Sequence, residues 1–594
     1  MRTERRKKTT FELWSGLFFR LLPYQVLLLI IDAANGIVDS ICASNFIGQT
    51  AMAAIGLYSP LNHFLFAMSI MLVSGSQLML GKALGSNETD SVESFFSTDL
   101  IISLILSGIV SALLLFAGLT DATKIITSDP ANRAALNQYL IGQSFGIPGL
   151  VLGQQLFAFL SMENQRKRTM IASLVCMAVN TAMDLLLIGV FRMGTFGLGL
   201  GSAIAVGSFC AVMLQYYISG RSGMKFSVKA FSGRNSLTIA KRGYPGAMSR
   251  FVEMFRCIIV NILLLRYVGS GGLSAFAAVN SVMAVFWPIT FGMMAVTRML
   301  LSITIGEEDR QSVSDIMRVV LIRGGLLQCG ITAFIMALAV PFANMFYHNP
   351  ADPVYMMTVM GFRLMPLCMP LAVMSLAFAC FAQAMEDKFL SNVLPVVDGA
   401  VSVVVFAIIL IPVWKINGLY IANILNGFVC AALVILYAMG KKKHFPRNID
   451  DLLVMPEDFG APEDARIDIE VRRVDEVNEI SGQVTAFCKQ RGAEEKQAVY
   501  AGLALEEMAG NVVEHGFTAD HKRHVVAIRV VHKDEDVILR ILDNCTAFDP
   551  LTRMKELNEN DEKDRNIGIR IVHNIAKDVA YQNLLGLNVL TLKI

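Results

Sequence analysis

About twelve long apolar runs occupy the first three-quarters of the chain and restrict its fold more than any other feature. A helix needs about 20 apolar residues to cross the roughly 30 Å hydrocarbon layer of a bilayer. Because lipid offers no hydrogen bonds to the backbone, such runs must be helical. We therefore predict an all-α polytopic membrane protein, with helices centred near residues 31, 65, 107, 148, 180, 208, 257, 287, 330, 369, 402 and 429.

The charge density changes near residue 441. Asp, Glu, Lys and Arg make up about 12% of residues 1–444 and roughly 30% of residues 445–594, against about 25% in soluble proteins. Residues 441–464 contain several prolines and acids and are expected to be a cytoplasmic linker. The net charge of +2, without a basic stripe, argues against a nucleic-acid partner.

Short strand and helix patterns alternate after the linker and predict an α+β sandwich over residues 465–594. The expected strands cover residues 466–474, 525–531, 537–542, 579–581 and 587–592. The expected helices cover residues 477–490, 494–513 and 568–576.

Basic residues cluster in alternate loops of the apolar region. They crowd the N-terminus and residues 166–168, 221–250, 298–323 and 441–443, whereas the intervening loops carry few. Because loops rich in Lys and Arg tend to stay in the cytoplasm, we expect a multi-pass protein of the cell membrane with both termini cytoplasmic.

The apolar region repeats itself. A shift of about 221 residues aligns residues 46–55 with residues 267–276, and a nearly equal shift aligns Met162-Glu-Asn with Met385-Glu-Asp. Chance similarity among apolar helices is the alternative, but the shared offset favours duplication. We expect bundles of about six helices over residues 1–220 and 221–440, with a small-molecule substrate bound between them in the bilayer.

Several acids fall inside the predicted membrane helices, where a charge costs several kcal/mol unless it is paired or hydrated. Asp32 and Asp39 share a face of the first helix, and Asn180 and Asp184 stand one turn apart in the fifth. Carboxylates beside amide oxygens suit Na⁺, and a desolvated carboxylate suits a proton. The alternative is a helix-to-helix hydrogen bond, which is favoured for Asp32 and for Asp398 in the eleventh helix.

Two segments resemble multidrug and toxic compound extrusion (MATE) transporters: Asn35-Gly-Ile-Val-Asp39 followed by Ile47-Gly-Gln-Thr-Ala-Met-Ala-Ala-Ile-Gly56, and Asn180-Thr-Ala-Met-Asp184 before a glycine-rich helix start. The similarity covers about residues 12–440. It implies a cation-coupled antiporter that exports small, xenobiotic molecules, with Asp39, Asn180 and Asp184 binding the coupling ion. Many members carry Thr where this chain has Val206.

The polar domain contains residues that suit a nucleotide. Glu507 and Asn511 share a face of one predicted helix, Asp543 ends a strand, and Gly568 opens another helix. An amide oxygen can complete the shell of Mg²⁺, and a nearby carboxylate can act as a base. A glycine at a helix start exposes backbone N–H groups to phosphate. Each of these signals is weak alone. The polar helix, the acid at the strand end and the glycine at the helix start, in this chain order, together predict a nucleotide-binding site.

This constellation resembles the GHKL ATPases, especially the anti-sigma-factor serine kinases, over about residues 466–594. The resemblance implies that Asn511 holds Mg²⁺, Glu507 is the general base, Asp543 accepts from the adenine amine and Gly568 lines the phosphates. Cys545 stands where that family usually has Gly, and its side chain is expected to crowd the adenine pocket. The expected ATP lid lies between Pro550 and Asn566. Its basic residues, which could contact the phosphates, are Arg553, Lys555, Lys563 and Arg565.

Two functions remain open at this point. The first is an ion-driven exporter, using Na⁺ or H⁺, whose ATP-binding domain regulates it. The second is a membrane sensor whose tail acts as a serine kinase on a cytoplasmic protein partner. The sequence does not select the substrate or the ion, nor whether ATP is hydrolysed, transferred or only bound.

Overall fold

The computed structural model describes residues 2–594 except 48, 87, 126–129, 348, 457–458, 462–464, 472, 517–523, 525, 534–535, 547, 551–566 and 585–586. Side chains are described within these segments except at residues 2–10, 28, 32–38, 40–41, 44–45, 49–50, 52–53, 56, 59–60, 125, 166, 249–250, 270, 273, 470, 474–475, 515, 533, 567 and 584.

The membrane part is helical throughout. Its helices are α1 (Arg2–Cys42), α2 (Gln49–Gly85), α3 (Thr89–Leu119), α4 (Pro130–Ser144), α5 (Ile147–Met162), α6 (Arg166–Asp184), α7 (Gly194–Ile218), α8 (Gly233–Tyr267), α9 (Ser270–Gly306), α10 (Arg310–Arg318), α11 (Gly325–Ala337), α12 (Ala339–Asn344), α13 (Pro353–Leu364), α14 (Cys368–Ala384), α15 (Lys388–Val396) and α16 (Ser402–Lys442). π-helical turns extend several of them, including Leu185–Val190 after α6 and Val397–Val401 between α15 and α16.

Nine helices in the described part of the chain are long and apolar enough to cross a membrane, or ten if the bent pair α4 and α5 forms one span. This is fewer than the predicted twelve, for two visible reasons. The span Lys388–Lys442 is 55 residues long and breaks at Lys415, so it has the length of two crossings. Helix α8 carries Glu253 and Arg256, whose charges reduce its apolar character.

Helix α2 crosses α8 and α9 so closely that glycine is needed at the crossing points. A Cβ atom added at Gly243 of α8 would lie 1.7 Å from the carbonyl oxygen of Met71. One added at Gly306 would lie 2.3 Å from the carbonyl oxygen of Lys82. In lipid, helices associate largely through such close backbone packing. These contacts close the end of the membrane part that contains Gly306, here termed the domain side.

Other contacts hold the two halves together on the domain side. Trp14 near the start of α1 is buried in one apolar cluster with Leu300 of α9. Lys82 Nζ lies 2.7 Å from Glu386 Oε1, and Arg242 pairs with the other carboxylate oxygen of Glu386. Because these residues come from both halves of the chain, opening this end requires their separation.

The C-terminal domain is a five-stranded antiparallel sheet covered by helices. The strands β1 (Arg466–Val471), β2 (Val526–Lys533), β3 (Asp536–Asp543), β4 (Asp578–Leu584) and β5 (Leu587–Lys593) lie in the order β1-β2-β3-β5-β4. A short linker helix, α17 (Ile449–Leu452), precedes them, and α18 (Val474–Gln490), α19 (Glu495–Asn511) and α20 (Ile567–Ile575) complete the domain. Each element lies close to its predicted position.

The two faces of this sheet contact different parts of the protein. Successive strand residues point to opposite faces, and in β3 every second residue is buried. Leu539 and Ile541 of β3 lie in the core with the domain helices. Arg540 and Leu542, which alternate with them, lie on the opposite face.

That opposite face packs against the domain side of the membrane part. Across a narrow cleft, Leu542, Leu587 and Val589 face Trp14 of α1 and Ile303 of α9. We term this surface of the C-terminal domain the docking face; it consists of Arg529, Arg540, Leu542, Leu587 and Val589.

Two arginines of the docking face pair with acids in the loop between α9 and α10. Arg529 Nη1 lies 2.5 Å from Asp309 Oδ1. Arg540 Nη1 donates to the backbone oxygen of Glu307 at 3.2 Å and lies 3.7 Å from its carboxylate. The C-terminal domain is thus attached to the loop that directly follows α9.

We predict that Gly243→Ala destabilises the protein by about 1–3 kcal/mol, because the added methyl group would force α2 and α8 apart. Gly108→Ala is the control, since a Cβ atom there would meet nothing within 4 Å. Thermal aggregation of the purified variants in detergent measures the effect. Equal midpoints for both variants would contradict the close crossing.

Candidate functional site

The structure brings Asp39, Asn180 and Asp184 together between α1 and α6. The Asp39 carboxyl group faces the side chains of both other residues. Ser202 of α7 donates a hydrogen bond to Asp39 Oδ2 at 3.0 Å. Asn180 is 2% exposed and Asp184 0%, whereas Asp39 is half-buried.

The local fold explains how the cluster forms. Gly201 lets α7 approach α6, because a Cβ atom at this position would lie 2.6 Å from Asp184 Oδ1. Asp184 is the last residue of α6 before the π-helical turn Leu185–Val190. Such turns redirect the helix and often occur at functional sites.

Several oxygens of this cluster have no hydrogen-bond partner. They are Asp39 Oδ1, Asn180 Oδ1 and both carboxylate oxygens of Asp184. Two facing carboxylates cannot both stay ionised and unpaired when buried, because desolvation and mutual repulsion oppose it. The oxygens therefore fit a proton or a hard monovalent cation such as Na⁺, which prefers oxygen ligands.

Two neighbours of the cluster were missed in the sequence. Ser202 lies one helical turn before Val206, the position at which many members of the family carry Thr. Tyr139 of α4 lies close enough to interact electrostatically with Asp39 and Asp184. Hydroxyl groups are common in membrane helices and carried no signal of their own. The side chain of Asp32 lies outside the described side chains.

Asp398 lies in a different environment from the Asp39 cluster. Ser375 donates to its Oδ2 at 2.9 Å, and Asn426 donates to its Oδ1 at 2.7 Å. The Cys430 thiol lies 3.7 Å from the same Oδ1. Because both carboxylate oxygens have partners, the structure favours the structural interpretation of Asp398.

In the C-terminal domain, the predicted base and the predicted phosphate glycine are in contact. At Gly568, the second residue of α20, an added Cβ atom would lie 1.9 Å from Glu507 Oε2. Asn511 stands one turn beyond Glu507, at the end of α19. Both side chains are half-buried. Helix α19, with these polar groups, therefore faces the helix start that suits phosphate.

The predicted adenine acceptor lies at the end of β3. Asp543 Oδ1 accepts from Asn588 Nδ2 at 2.7 Å and from the Cys545 N–H at 2.9 Å. Burial raises the pKa of Asp543, although these hydrogen bonds oppose the shift. Cys545 packs against Gly516, where a Cβ atom would lie 2.9 Å from its sulfur. Its side chain thus fills space beside the predicted adenine pocket.

Some predicted nucleotide contacts cannot be placed. The expected lid residues Arg553, Lys555, Lys563 and Arg565 lie outside the described residues. Glu514 is exposed beyond the end of α19, in the π-helical turn Val512–Gly516.

Comparison with known families identifies both parts. The MatE family profile matches residues 27–186 and 245–412, more than half of the chain. The chain belongs to the MatE family. A histidine kinase-like ATPase domain profile matches residues 471–594. The two resemblances seen in the sequence are therefore confirmed.

Curated relatives cover much of the MatE part. A probable multidrug resistance protein NorM of Neisseria meningitidis is 21% identical over 325 residues, 53% of this chain and 70% of NorM. The probable multidrug resistance protein YoeA of Bacillus subtilis is 21% identical over 286 residues, 46% of this chain and 61% of YoeA.

Solved structures share the MatE fold. An outward-facing multidrug resistance MATE transporter of the MOP superfamily has a TM-score of 0.67 at 18% identity, covering 74% of this chain and 96% of that chain. A MOP superfamily transporter from Pyrococcus furiosus has a TM-score of 0.66 with the same identity and coverage. The predicted helical membrane fold is thus confirmed.

We predict that Asp543→Ala weakens ATP binding by about 1.5–3 kcal/mol, tenfold or more, because a charged acceptor is lost. The expected acceptor is the ionised Asp543 carboxylate, and burial raises its pKa. As the pH is lowered, ATP affinity should therefore begin to fall at a higher pH than it would with an ordinary Asp. Calorimetry on the full chain in detergent tests both effects. Asp536→Ala, at the other end of β3, is the control, and equal ATP affinity in both variants would refute the assignment.

Proposed function

We propose that this MatE family member is a cation-coupled antiporter that exports small, xenobiotic molecules, with Na⁺ or H⁺ as the coupling ion. Its main support is the facing pair Asp39 and Asp184, in which Asp39 Oδ1 and both oxygens of Asp184 lack hydrogen-bond partners inside the membrane part. The relatives named for multidrug resistance favour a drug-like substrate. Asn180 and Ser202 complete the oxygen-rich surroundings of the pair.

Binding of one monovalent cation by this pair relieves the repulsion between the two carboxylates and allows the site to stay buried. Inward movement of one charge down 100 mV releases about 2.3 kcal/mol, which can be coupled to export. Asp39, Asn180 and Asp184 thus hold the ion. The substrate is expected between the halves 1–220 and 221–440.

We further propose twelve crossings with the domain side in the cytoplasm. The ten candidate spans become twelve if α8 also crosses and if the segment Lys388–Lys442 crosses twice, with its break at Lys415. Cytoplasmic ATP would then reach the C-terminal domain, which begins near residue 465 after the linker 441–464. The basic loops support the same orientation.

In the C-terminal domain, we assign Asp543 to the adenine amine, Gly568 to the phosphates, Asn511 to Mg²⁺ and Glu507 to the role of general base. When bound, MgATP supplies binding free energy and a transferable phosphoryl group. The contact between Glu507 and Gly568 means that the carboxylate must yield when an anion approaches the start of α20.

ATP is proposed to regulate transport without driving it. The docking face contacts α1 from the first half and α9 from the second, on the side that must open for inward-facing access. A docked domain therefore favours the state closed on the domain side. In the pairing of β3 with β5, Asp543 lies opposite Asn588 and Leu542 lies opposite Val589. Residues that are expected to bind adenine therefore alternate along these two strands with residues of the docking face. ATP binding can thus alter docking directly.

The pKa values of the two loop acids in the docking contact are shifted in opposite directions. Burial alone would raise the pKa of Asp309, but Arg529 and hydrogen bonds from Ser312 outweigh burial and lower it. Burial raises the pKa of Glu307, despite Arg540. Asp309 therefore stays ionised and anchors the domain, while the Glu307 contact is the weaker one.

A serine kinase acting on a cytoplasmic protein is the alternative, which the Glu507 and Asn511 pair keeps open. Transfer of phosphate to a protein, with no gradient-driven efflux in proteoliposomes, would select it over the exporter.

We expect Asp39→Asn or Asp184→Asn to abolish gradient-driven efflux while the protein still inserts, because the pair loses one of its two ionisable groups. The loss is measured as substrate efflux from proteoliposomes under an imposed Na⁺ or H⁺ gradient. The gradient that drives efflux in the wild type identifies the coupling ion. Asp90→Asn, an exposed acid at the start of α3, is the control and should transport normally. Normal efflux in both test variants would exclude the pair as the ion site.

We expect Arg540→Glu to change the effect of ATP on efflux several-fold, in line with a coupling of about 1–3 kcal/mol, while gradient-driven efflux persists. Adding Glu307→Arg should restore the effect, since the opposite charges are re-paired. Lys577→Glu, which breaks a surface pair with Asp536 on the same sheet, is the control. The regulatory proposal fails if ATP drives efflux without a gradient, or if wild type needs ATP to transport at all.

A further inference from the structure

Helix α3 carries a buried acid that the proposed ion pair does not use. Asp99 is 0% exposed, and neither of its carboxylate oxygens has a hydrogen-bond partner. No ion pair among the described residues involves it. Ser103, one turn further along α3, is also 0% exposed, and its hydroxyl oxygen has no partner either. Two unpartnered oxygen groups therefore share one face of α3.

Helices α2 and α5 add further oxygens beside Asp99. Ser76 of α2 interacts with the Asp99 carboxyl group. Its hydroxyl donates to the carbonyl of Leu72 at 2.7 Å, so an oxygen lone pair is left for another partner. Ser76 Oγ also lies 3.5 Å from Oε1 of Gln155, which is 0% exposed. The surroundings of Asp99 are thus rich in neutral oxygens, and within the described segments no basic side chain forms an ion pair with it.

An ionised carboxylate that is buried without a partner costs too much to persist, so Asp99 must hold a cation or a proton. We propose that Asp99 forms a second site for a monovalent cation, a proton or Na⁺, with Ser76 and Ser103 as neutral oxygen neighbours. Its occupancy does not depend on the proposed antiport, but its part in transport rests on that function.

The position of Asp99 gives this second site a place along the ion path. Asp99 lies about 15 Å from the start of α3, and Asp184 about 27 Å from the start of α6, by the rise of a helix. Because both helices begin on the domain side, Asp99 lies roughly 12 Å nearer to that side. The level of Asp99 thus lies between the Asp39 and Asp184 pair and the domain side.

Solvent on the domain side is close to Asp99. Ser97 Oγ accepts from the Ser227 N–H at 2.9 Å, and Thr98 Oγ1 accepts from the Ser232 N–H at 3.0 Å. Both donors belong to the segment between α7 and α8, which exposes Lys229. This segment covers α3 directly beside Asp99, so a small opening of it would connect the site to water.

The test uses the purified full chain with Asp39→Asn and Asp184→Asn, which silences the first pair. ²²Na⁺ binding detects a sodium site, and the infrared carbonyl band of a protonated carboxyl group detects a proton. We expect one of the two signals to remain in this background and to be lost when Asp99→Asn is added. Asp90→Asn, added instead, should leave the signal unchanged.

Ser76→Ala keeps the carboxyl group and provides a second measurement if Asp99→Asn does not fold. It should shift the carbonyl band if the ligand is a proton, or weaken Na⁺ binding several-fold if it is sodium. The proposal is overturned if the background variant shows neither signal, if the signal survives Asp99→Asn, or if Ser76→Ala leaves it unchanged. Absence of efflux in wild type would instead refute the antiporter and leave the binding result standing.

Discussion

The free-energy cost of a buried charge without a partner governs the arrangement of this protein. Asp39 and Asp184 face each other where water is excluded, so their charge must be compensated by whatever enters the site. The loop acids Glu307 and Asp309 are also buried, but arginines of another domain compensate them. The same physical cost therefore underlies both the proposed ion site inside the membrane part and the protein contact at its edge.

Close helix packing decides which end of the membrane part is closed. At Gly243 and Gly306 the backbones of α2, α8 and α9 come nearer than any side chain would allow. Such contacts depend on shape, and they lose roughly a quarter to a half of their attraction once the helices separate by about 0.5–1 Å. Two discrete arrangements, open and closed, are therefore more natural than a continuous range. The C-terminal domain sits directly on this seam, where a modest preference for either arrangement changes its population.

Much of this fold could be predicted from the sequence, because the strongest signals were local. Runs of apolar residues located the helices, and period-two alternation located β2, β3 and β5 within a few residues. Asp39, Asn180 and Asp184 could be selected because each is costly in lipid and two of them share a helix face. Their proximity depends on Gly201 and on the π-helical turn after Asp184, and neither feature has a distinctive sequence pattern.

Contacts between distant elements were beyond such reasoning. Asp99 resembles an ordinary acid near the polar start of a helix, and only the packing of α2 and α5 over α3 reveals that it is fully buried. Glu307 and Asp309 resemble solvated loop charges in the sequence. Their arginine partners are more than two hundred residues away, on strands whose polar positions looked solvent-facing.

The alternating side-chain directions along β3 and β5 also limit how the membrane part and the C-terminal domain can change during evolution. Leu542 faces the membrane part and its neighbour Asp543 faces the proposed nucleotide pocket, so insertion of a single residue in β3 would exchange the two surfaces. An ATPase domain borrowed from a soluble relative, with an intact pocket but a polar outer face, would bind nucleotide and remain undocked. Substitutions in the docking face and in the surface of the membrane part that it contacts are therefore expected to accumulate together during evolution.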